Sequence, residues 1–388
     1  MKDSIEQERI RAVRRFHNGE SAHSICASLG RSAVWLYKWL KRHNAGCDDW
    51  YANQSTRPQH SERTPHEVEE IVKLIRLNLY NQEVFCGAQA ILWELEDLGV
   101  NPLPSLRTIN RILSRNELTH RRTGKYEAKG TPYPKLPATR PNQTHQADLV
   151  GPCYLKGPLR FYGLNVVDVA TVRCGLHPSD SKAGQDVLDG FWEIWKRLGI
   201  PENIQIDNAM SFFGSPAHPR GMGPLIRLCL HHDSEPWFIP MSEPWRNGLV
   251  EQFNDLYQQK FLAKVEMLSP DALRKETLAF EQRHNSRFRY SKLRGQTPLK
   301  ALAGTNSALR FPKDEVAPRH RLKKPEVGRY HLVRLIRSDL RLNVFGELFP
   351  VPPEAMLEYV VATIDVKEQK LKLYLGPTQI EEFNYQLR

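Results

Sequence analysis

Apolar positions along the first 118 residues recur at helical spacing. Ile5–Asn18 has this pattern and stops at Gly19, a residue suited to a helix end. In SAHSICASLGRSAVWLYKWLKRH, Ser21 is placed to cap a short helix through Leu29 and Gly30 to make the tight turn. Ser32 then caps a second helix to His43, with Trp35, Leu36, Trp39 and Leu40 as its inner face. Two helices joined by a glycine, the second carrying Lys38, Lys41 and Arg42, give a helix-turn-helix; a plain helical hairpin is the alternative. The plan repeats further on. Glu67–Leu79 is amphipathic through Val68, Ile71, Val72 and Ile75, and Gly87–Leu98 and Ser105–Arg115 follow, the last with Arg107, Arg111 and Arg115. The polar stretch Asn53–Arg63 joins the two units.

His120–Gln143 contains four prolines and two glycines and has little that forms a core, so it reads as an extended linker. Its Arg121, Arg122, Lys125, Lys129, Lys135 and Arg140 suit a phosphate backbone or, equally, water. From His145 the period changes to that of strands. HQADLVGP, Arg160–Asp168 and Thr171–Pro178 predict an antiparallel meander. Ala183–Leu198 is a helix with Val187, Phe191, Ile194, Trp195 and Leu198 on one face, stopped by Gly199-Ile-Pro, and Asn203–Asp207 returns as a strand. A helical crossover sets that strand parallel to the first, which is the plan of a ribonuclease H-like α/β core. Asp148 and Asp207 then fall on neighbouring strands. Further on, Asn247–Asn254 opens a helix with Glu251 in its first turn.

Ser269 caps another helix, with Pro270 just inside it. It continues into a segment where Arg283, Arg287, Arg289, Lys292 and Arg294 alternate with Phe288 and Tyr290, a backbone-binding surface or a solvated helix end. From Tyr330 the pattern is short alternating strands: YHLVRLIR, RLNVFGELFPV, YVVATIDV and KLKLYLG. These predict a small C-terminal β-barrel, with RHRLKK (319–324) beside it favouring DNA. The expected divisions are helix-turn-helix modules at 1–52 and 64–118, a basic linker at 119–141, the core at 142–265, a basic helical extension at 266–312 and the barrel at 320–388.

Composition narrows the chemistry. The formal net charge is +11, yet residues 142–262 hold 10 basic against 13 acidic side chains. An acidic middle between basic flanks suits a polyanion gripped at both ends, although ordinary charged surface gives the same numbers. No apolar run approaches the ~20 residues of a membrane span and the start lacks a signal peptide's apolar centre, so a soluble, cytoplasmic, nucleoid-associated protein is expected. The six cysteines form no C-x-x-C pair and read as free thiols. His231, His232 and Asp233 lack the companions a zinc site needs. Asp168 ends its strand and reads as a turn cap, with an approach to the acidic site as the alternative, and Trp237 and Trp245 as core residues or stacking platforms for a base.

The ordered set HQADLVGP, IDNAMSFFG and EPWRNGLVEQFN resembles the integrase core of DDE transposases and retroviral-type integrases, and insertion-sequence transposases with N-terminal helix-turn-helix modules most of all. The resemblance extends to His284–Pro298 and spans most of the chain. It implies that Asp148, Asp207 and Glu251 hold two Mg²⁺ or Mn²⁺ ions. It also implies hydrolysis at transposon ends, attack of the freed 3′-hydroxyl on target DNA, and a homo-oligomer on double-stranded DNA. Whether an accessory ATPase takes part stays open. Asn208 is read as orienting a metal ligand or bonding DNA, and Arg246 and Lys260 as contacting phosphate. Two departures stand out. The glycine usual after Asp-Asn is Ala209, costly if that position needs positive φ. The usual spacing between the last two acids lands on Glu243, yet Glu243 precedes Pro244, which disfavours helix there. Glu251 is therefore preferred, with the surplus residues in the loop 214–224. A catalytically silent DNA-binding regulator and a structure-selective nuclease of the same fold are the alternatives.

Overall fold

The computed structural model describes residues 2–46, 48–53, 64–119, 132–155, 160–215, 217–218, 220–266, 269–319 and 322–388. The chain forms two compact units, Met1–Arg63 and Thr64–Arg388.

Among its described residues the first unit holds three helices: α1 (Lys2–His17), α2 (Ala22–Leu29) and α3 (Ala33–Asn44). The caps are those the sequence predicts. Ser21 accepts from the Ser24 amide, Ser32 accepts from the Trp35 amide, and Gly30 turns the chain at φ 63°. Ala12, Val13, Ile25, Leu36, Trp39 and Leu40 make the core. Arg9 lies over the Trp39 ring at 4.0 Å and donates to the Tyr51 carbonyl at 2.6 Å, tying the end of the unit back to its first helix.

The second unit opens with α4 (His66–Asn81), α5 (Ala88–Asp97) and α6 (Leu106–Arg115), the last capped by Ser105. Their apolar faces share one cluster with Phe288, and Leu256 and Tyr290 pack against it. The predicted second helical module thus shares its apolar cluster with residues far along the chain. Then come β1 (Thr144–Tyr154), β2 (Arg160–Asp168) and β3 (Cys174–Ser179), the crossover α7 (Gly184–Leu198) and β4 (Asn203–Ile206). The helices α8 (Met210–Phe213) and α9 (Pro224–His231) lead to β5 (Glu235–Phe238), and α10 (Gly248–Tyr257) runs into a π-helical turn, Gln258–Leu262. Two more helices, α11 (Pro270–Arg287) and α12 (Pro298–Ala303), precede β6 (Arg329–Leu335), β7 (Arg341–Val344), β8 (Glu347–Pro350), β9 (Tyr359–Asp365), β10 (Lys370–Leu375) and β11 (Thr378–Asn384). The core strands run β3-β2-β1-β4-β5, with the meander antiparallel and β1, β4 and β5 parallel, as the crossover requires. Gly175 lets α7 sit on β3: a Cβ there would come within 2.3 Å of Leu198 and 2.5 Å of Ile194.

The expected separate C-terminal barrel is not what forms. All four predicted runs are strands, but β6 pairs parallel with β5 (Trp237 opposite His331, Phe238 opposite Leu332) and β9, β10 and β11 continue outward from it. The result is one open nine-stranded sheet with β3 and β11 at its edges, and β7–β8 as a separate hairpin. The reason is burial. Tyr330, Leu332, Ala362, Ile364, Leu371 and Leu373 share one apolar cluster with Ile204, Ile206 and Phe238. Closing on themselves would leave the β5 edge unpaired, a liability that β6 removes.

Candidate active site

Two aspartates come together because of strand register. β1 and β4 pair Thr144 with Asn203, His145 with Ile204 and Gln146 with Gln205. Two residues further along, the same register sets Asp148 beside Asp207, one residue past the end of β4. Side chains alternate across a sheet, so Gln146, Asp148, Gln205 and Asp207 share one face. His145, Ile204 and Ile206 point the other way and are buried.

The third acid arrives on α10, which is fastened to β1 at its N-terminus. The first amides of a helix have no partner within it. Here the Gln146 carboxamide oxygen accepts from the amides of Leu249 (2.9 Å) and Val250 (3.2 Å), and Asn247 donates to the Ala147 carbonyl at 2.9 Å. One turn beyond Glu251, Asn254 donates to Asp148 at 2.7 Å and accepts from Asn165, the β2 residue opposite Asp148, at 2.8 Å. Gln146, Asn165, Asn247 and Asn254 were not singled out from sequence. Two carried a signal: Gln146 is two residues from Asp148 on a strand, and Asn254 is three from Glu251 on a helix.

Burial first, then the Asp207 charge, push the Asp148 carboxyl above the ordinary range, and burial does the same for Asp207. Glu251 is raised by burial and by Asp148, Asp255 and Asp207. Among the described residues no Lys or Arg pairs with any of the three. Asp207 accepts from the Ala209 amide at 3.0 Å, and Ala209 sits at φ −65°, so the missing glycine costs nothing. Mutually repelling, partly desolvated carboxylates with no internal cation are a donor set that fits a hard divalent ion. They are not gathered into a ligand cage: among the described residues, no three His, Cys, Asp or Glu side chains are grouped closely enough to hold a metal.

Glu243, the competing acid, is engaged elsewhere. Its backbone is non-helical (φ −122°, ψ 61°), and its carboxylate binds Arg246 at 2.9 Å and the Tyr359 hydroxyl at 2.7 Å. Arg246, expected on phosphate, also donates to Tyr359 at 2.7 Å and lies over the Tyr133 ring at 4.3 Å. Other predicted DNA contacts divide in the same way. Lys38 and Lys41 lie exposed on α3 beside exposed Val34 and Tyr37, with Arg42 half-buried along the same helix. Arg107, Arg111 and Arg287 are exposed. Arg115 instead pairs with buried Glu69 at 3.1 Å, and Arg289 with Asp97 at 2.7 Å. Lys260 donates to the Val84 carbonyl at 3.4 Å. Arg121 and Arg122 lie outside the described residues. Asp168 caps its turn, accepting from the Ala170 amide at 3.3 Å and from Thr171. His231 donates to the Lys323 carbonyl at 2.9 Å, and His232 packs edge-on against Trp192. Trp237 stacks on His331 at 3.9 Å, while Trp245 is 58% exposed.

Along the chain, a three-helix module precedes the sheet with its β3-β2-β1-β4-β5 core. Residues 6–51 match the homeodomain-like, helix-turn-helix domain family. No curated protein sequence matches the chain. Among solved structures it is similar to the HTLV-2 integrase catalytic core domain in complex with magnesium (trimeric form), at 18% identity over 42% of this chain and 99% of that one, TM-score 0.33. It is also similar to a chain of the simian T-cell lymphotropic virus intasome in complex with the PP2A regulatory subunit B56 gamma, at 12% identity over 82% of this chain and 97% of that one, TM-score 0.37. No helix among the described residues is long and apolar enough to cross a membrane.

Proposed function

We propose that this chain is a DNA transposase: it cuts at the ends of a mobile element and joins the freed 3′-hydroxyl to target DNA, acting as a homo-oligomer. The observation that carries this reading is the register that puts Asp148 beside Asp207, with the Glu251 helix fastened to the same strand. These three carboxylates would hold two Mg²⁺ or Mn²⁺ ions, which supply charge neutralisation at the attacking and leaving oxygens of an in-line displacement. In the first step a water oxygen bonds to phosphorus and the bond to the 3′-oxygen breaks, that oxygen leaving as the hydroxyl. In the second the 3′-oxygen attacks a target phosphodiester and displaces the target's own 3′-oxygen. Asn254 keeps Asp148 directed and opposes the rise that burial and Asp207 impose on its carboxyl, and Gln146 keeps the Glu251 turn over β1. The α3 face with Lys38, Lys41 and Arg42 enters a DNA groove, and Arg107 and Arg111 on α6 contact a second stretch.

The open arrangement of the carboxylates favours one competing reading, a DNA-binding regulator without catalysis. Incubating the protein with Mg²⁺ and DNA carrying its element's flanks, then sequencing the products, separates the two. Joined 3′ ends support transposition. Binding with no new ends supports the regulator, and cuts without joining support a nuclease.

A further inference from the structure

The C-terminal strands spend their polar side chains inward, on the two loops that deliver the site's acids. Arg334 of β6 is buried, and among the described residues it meets no carboxylate. Its guanidinium donates to Asn208 Oδ1 at 2.8 Å, to the carbonyls of Ile239 (3.1 Å) and Val333 (2.9 Å), and to the Asn343 carbonyl at 3.2 Å. Asn208 completes the knot by donating to the Ile239 carbonyl at 2.6 Å. Asn208 follows Asp207 directly, so one side chain joins the Asp207 loop, the end of β5 and the β7–β8 hairpin. A buried cation without an acidic partner is expensive, and an apolar side chain would fill the same space at less cost. What the guanidinium adds is direction: planar donors fix several acceptors at once.

A second fastening lies on β9. The Tyr359 hydroxyl donates to Glu243 and accepts from Arg246, each at 2.7 Å, across the turn Pro244–Asn247 that opens the Glu251 helix. The Arg246 carbonyl accepts from Gln205 at 2.7 Å, two residues before Asp207 on β4. Tyr133, from the segment preceding the core, packs edge-on against Tyr359 at 5.2 Å.

We infer that Arg334 and Tyr359 are positioning residues of the carboxylate site, which makes β6 and β9 part of the active centre and not a separate DNA-binding module. The inference rests on the proposed reading of the site for its catalytic consequence, but its structural core can be tested without catalysis. Full-length wild type, Arg334→Leu, Arg334→Lys and Tyr359→Phe would be compared by amide hydrogen exchange, Mn²⁺ titration calorimetry and end cleavage across a Mg²⁺ series. The expected result is exchange faster by about tenfold in 207–213 for Arg334→Leu and in 243–250 for Tyr359→Phe, with the α3 helix unchanged. Half-saturating Mn²⁺ and Mg²⁺ should rise by roughly tenfold, with Arg334→Lys recovering part of the loss. A purely structural role would speed exchange throughout 64–388 and leave the metal requirement of the surviving folded protein unchanged, which overturns the inference. So does wild-type exchange in both loops. Should the wild type cut no DNA, the transposase reading fails, and the exchange and Mn²⁺ data still decide this one.

Discussion

Glu251→Gln and Glu243→Gln should separate activity from stability in opposite directions. Glu251 meets no donor among the described residues and is repelled by Asp148, Asp207 and Asp255. Asp255 is its i+4 neighbour, and like charges at that spacing cost a helix about 0.2–0.5 kcal/mol. Neutralising Glu251 should therefore leave stability unchanged or raise it by a few tenths of a kcal/mol. Glu243 has the opposite surroundings, with Arg246 and Tyr359 on its carboxylate and only 14% of the side chain exposed. Glutamine keeps the shape and one acceptor but reduces a charge-assisted hydrogen bond to a neutral one, a loss of about 1 kcal/mol. On activity the order reverses. Losing a group that merely supports a metal ligand costs about 10–100-fold, so losing the ligand itself should cost more than roughly a hundredfold. Urea unfolding followed by tryptophan fluorescence gives the first quantity, and single-turnover cleavage of end DNA in Mg²⁺ gives the second. Cleavage lost in Glu243→Gln and kept in Glu251→Gln would refute the assignment. So would a Glu251→Gln protein clearly less stable than wild type.

Two further outcomes follow from the charges. Lys38→Ala with Lys41→Ala should weaken DNA binding and flatten the dependence of log K on log salt by about one unit per lost phosphate contact, whereas Arg115→Ala and Arg289→Ala should lower stability and leave that slope alone, because their partners are Glu69 and Asp97; fluorescence anisotropy across a salt series checks both. In EDTA, Asp207→Asn should be more stable than wild type at pH 7. The Asp207 carboxyl is raised in the folded state, so its favourable contribution exists below the unfolded pKa and is lost as pH rises through the folded one. The difference should fade as pH falls into the ordinary carboxylate range and reverse at pH 7 when Mn²⁺ is added. His145, held neutral by burial with its pKa lowered to about 3, destabilises both proteins alike in acid and cancels from the comparison.

Much of this could be read in the chain before any coordinates. Ser21, Ser32, Ser105 and Ser269 announce their helices because a hydroxyl before an apolar-periodic run has one good use there, satisfying free amides. The two aspartates could be placed on neighbouring strands because a helical crossover leaves few alternatives. The destination of β6 was hidden: alternation tells which face of a strand is apolar, not which neighbour it joins. Arginine roles were hidden for a similar reason. Arg111 and Arg115 lie one turn apart on α6, and only the fold brings Glu69 under the second. Arg334 and Tyr359 sit in ordinary strand pattern, and nothing nearby marks them as reaching acceptors 126 and 116 residues away.

Those two long reaches also set an order of events during synthesis. Asp148, Asp207 and Glu251 leave the ribosome well before Arg334 and Tyr359, and the β5 edge waits for β6 throughout that interval. Contacts so distant along the chain form late. A nascent or prematurely ended chain therefore has its N-terminal three-helix unit complete while the Asp207 loop and the turn before Glu251 still lack Arg334 and Tyr359, and under the proposed function fragments broken short of β9 are expected to compete for DNA ends without cutting them.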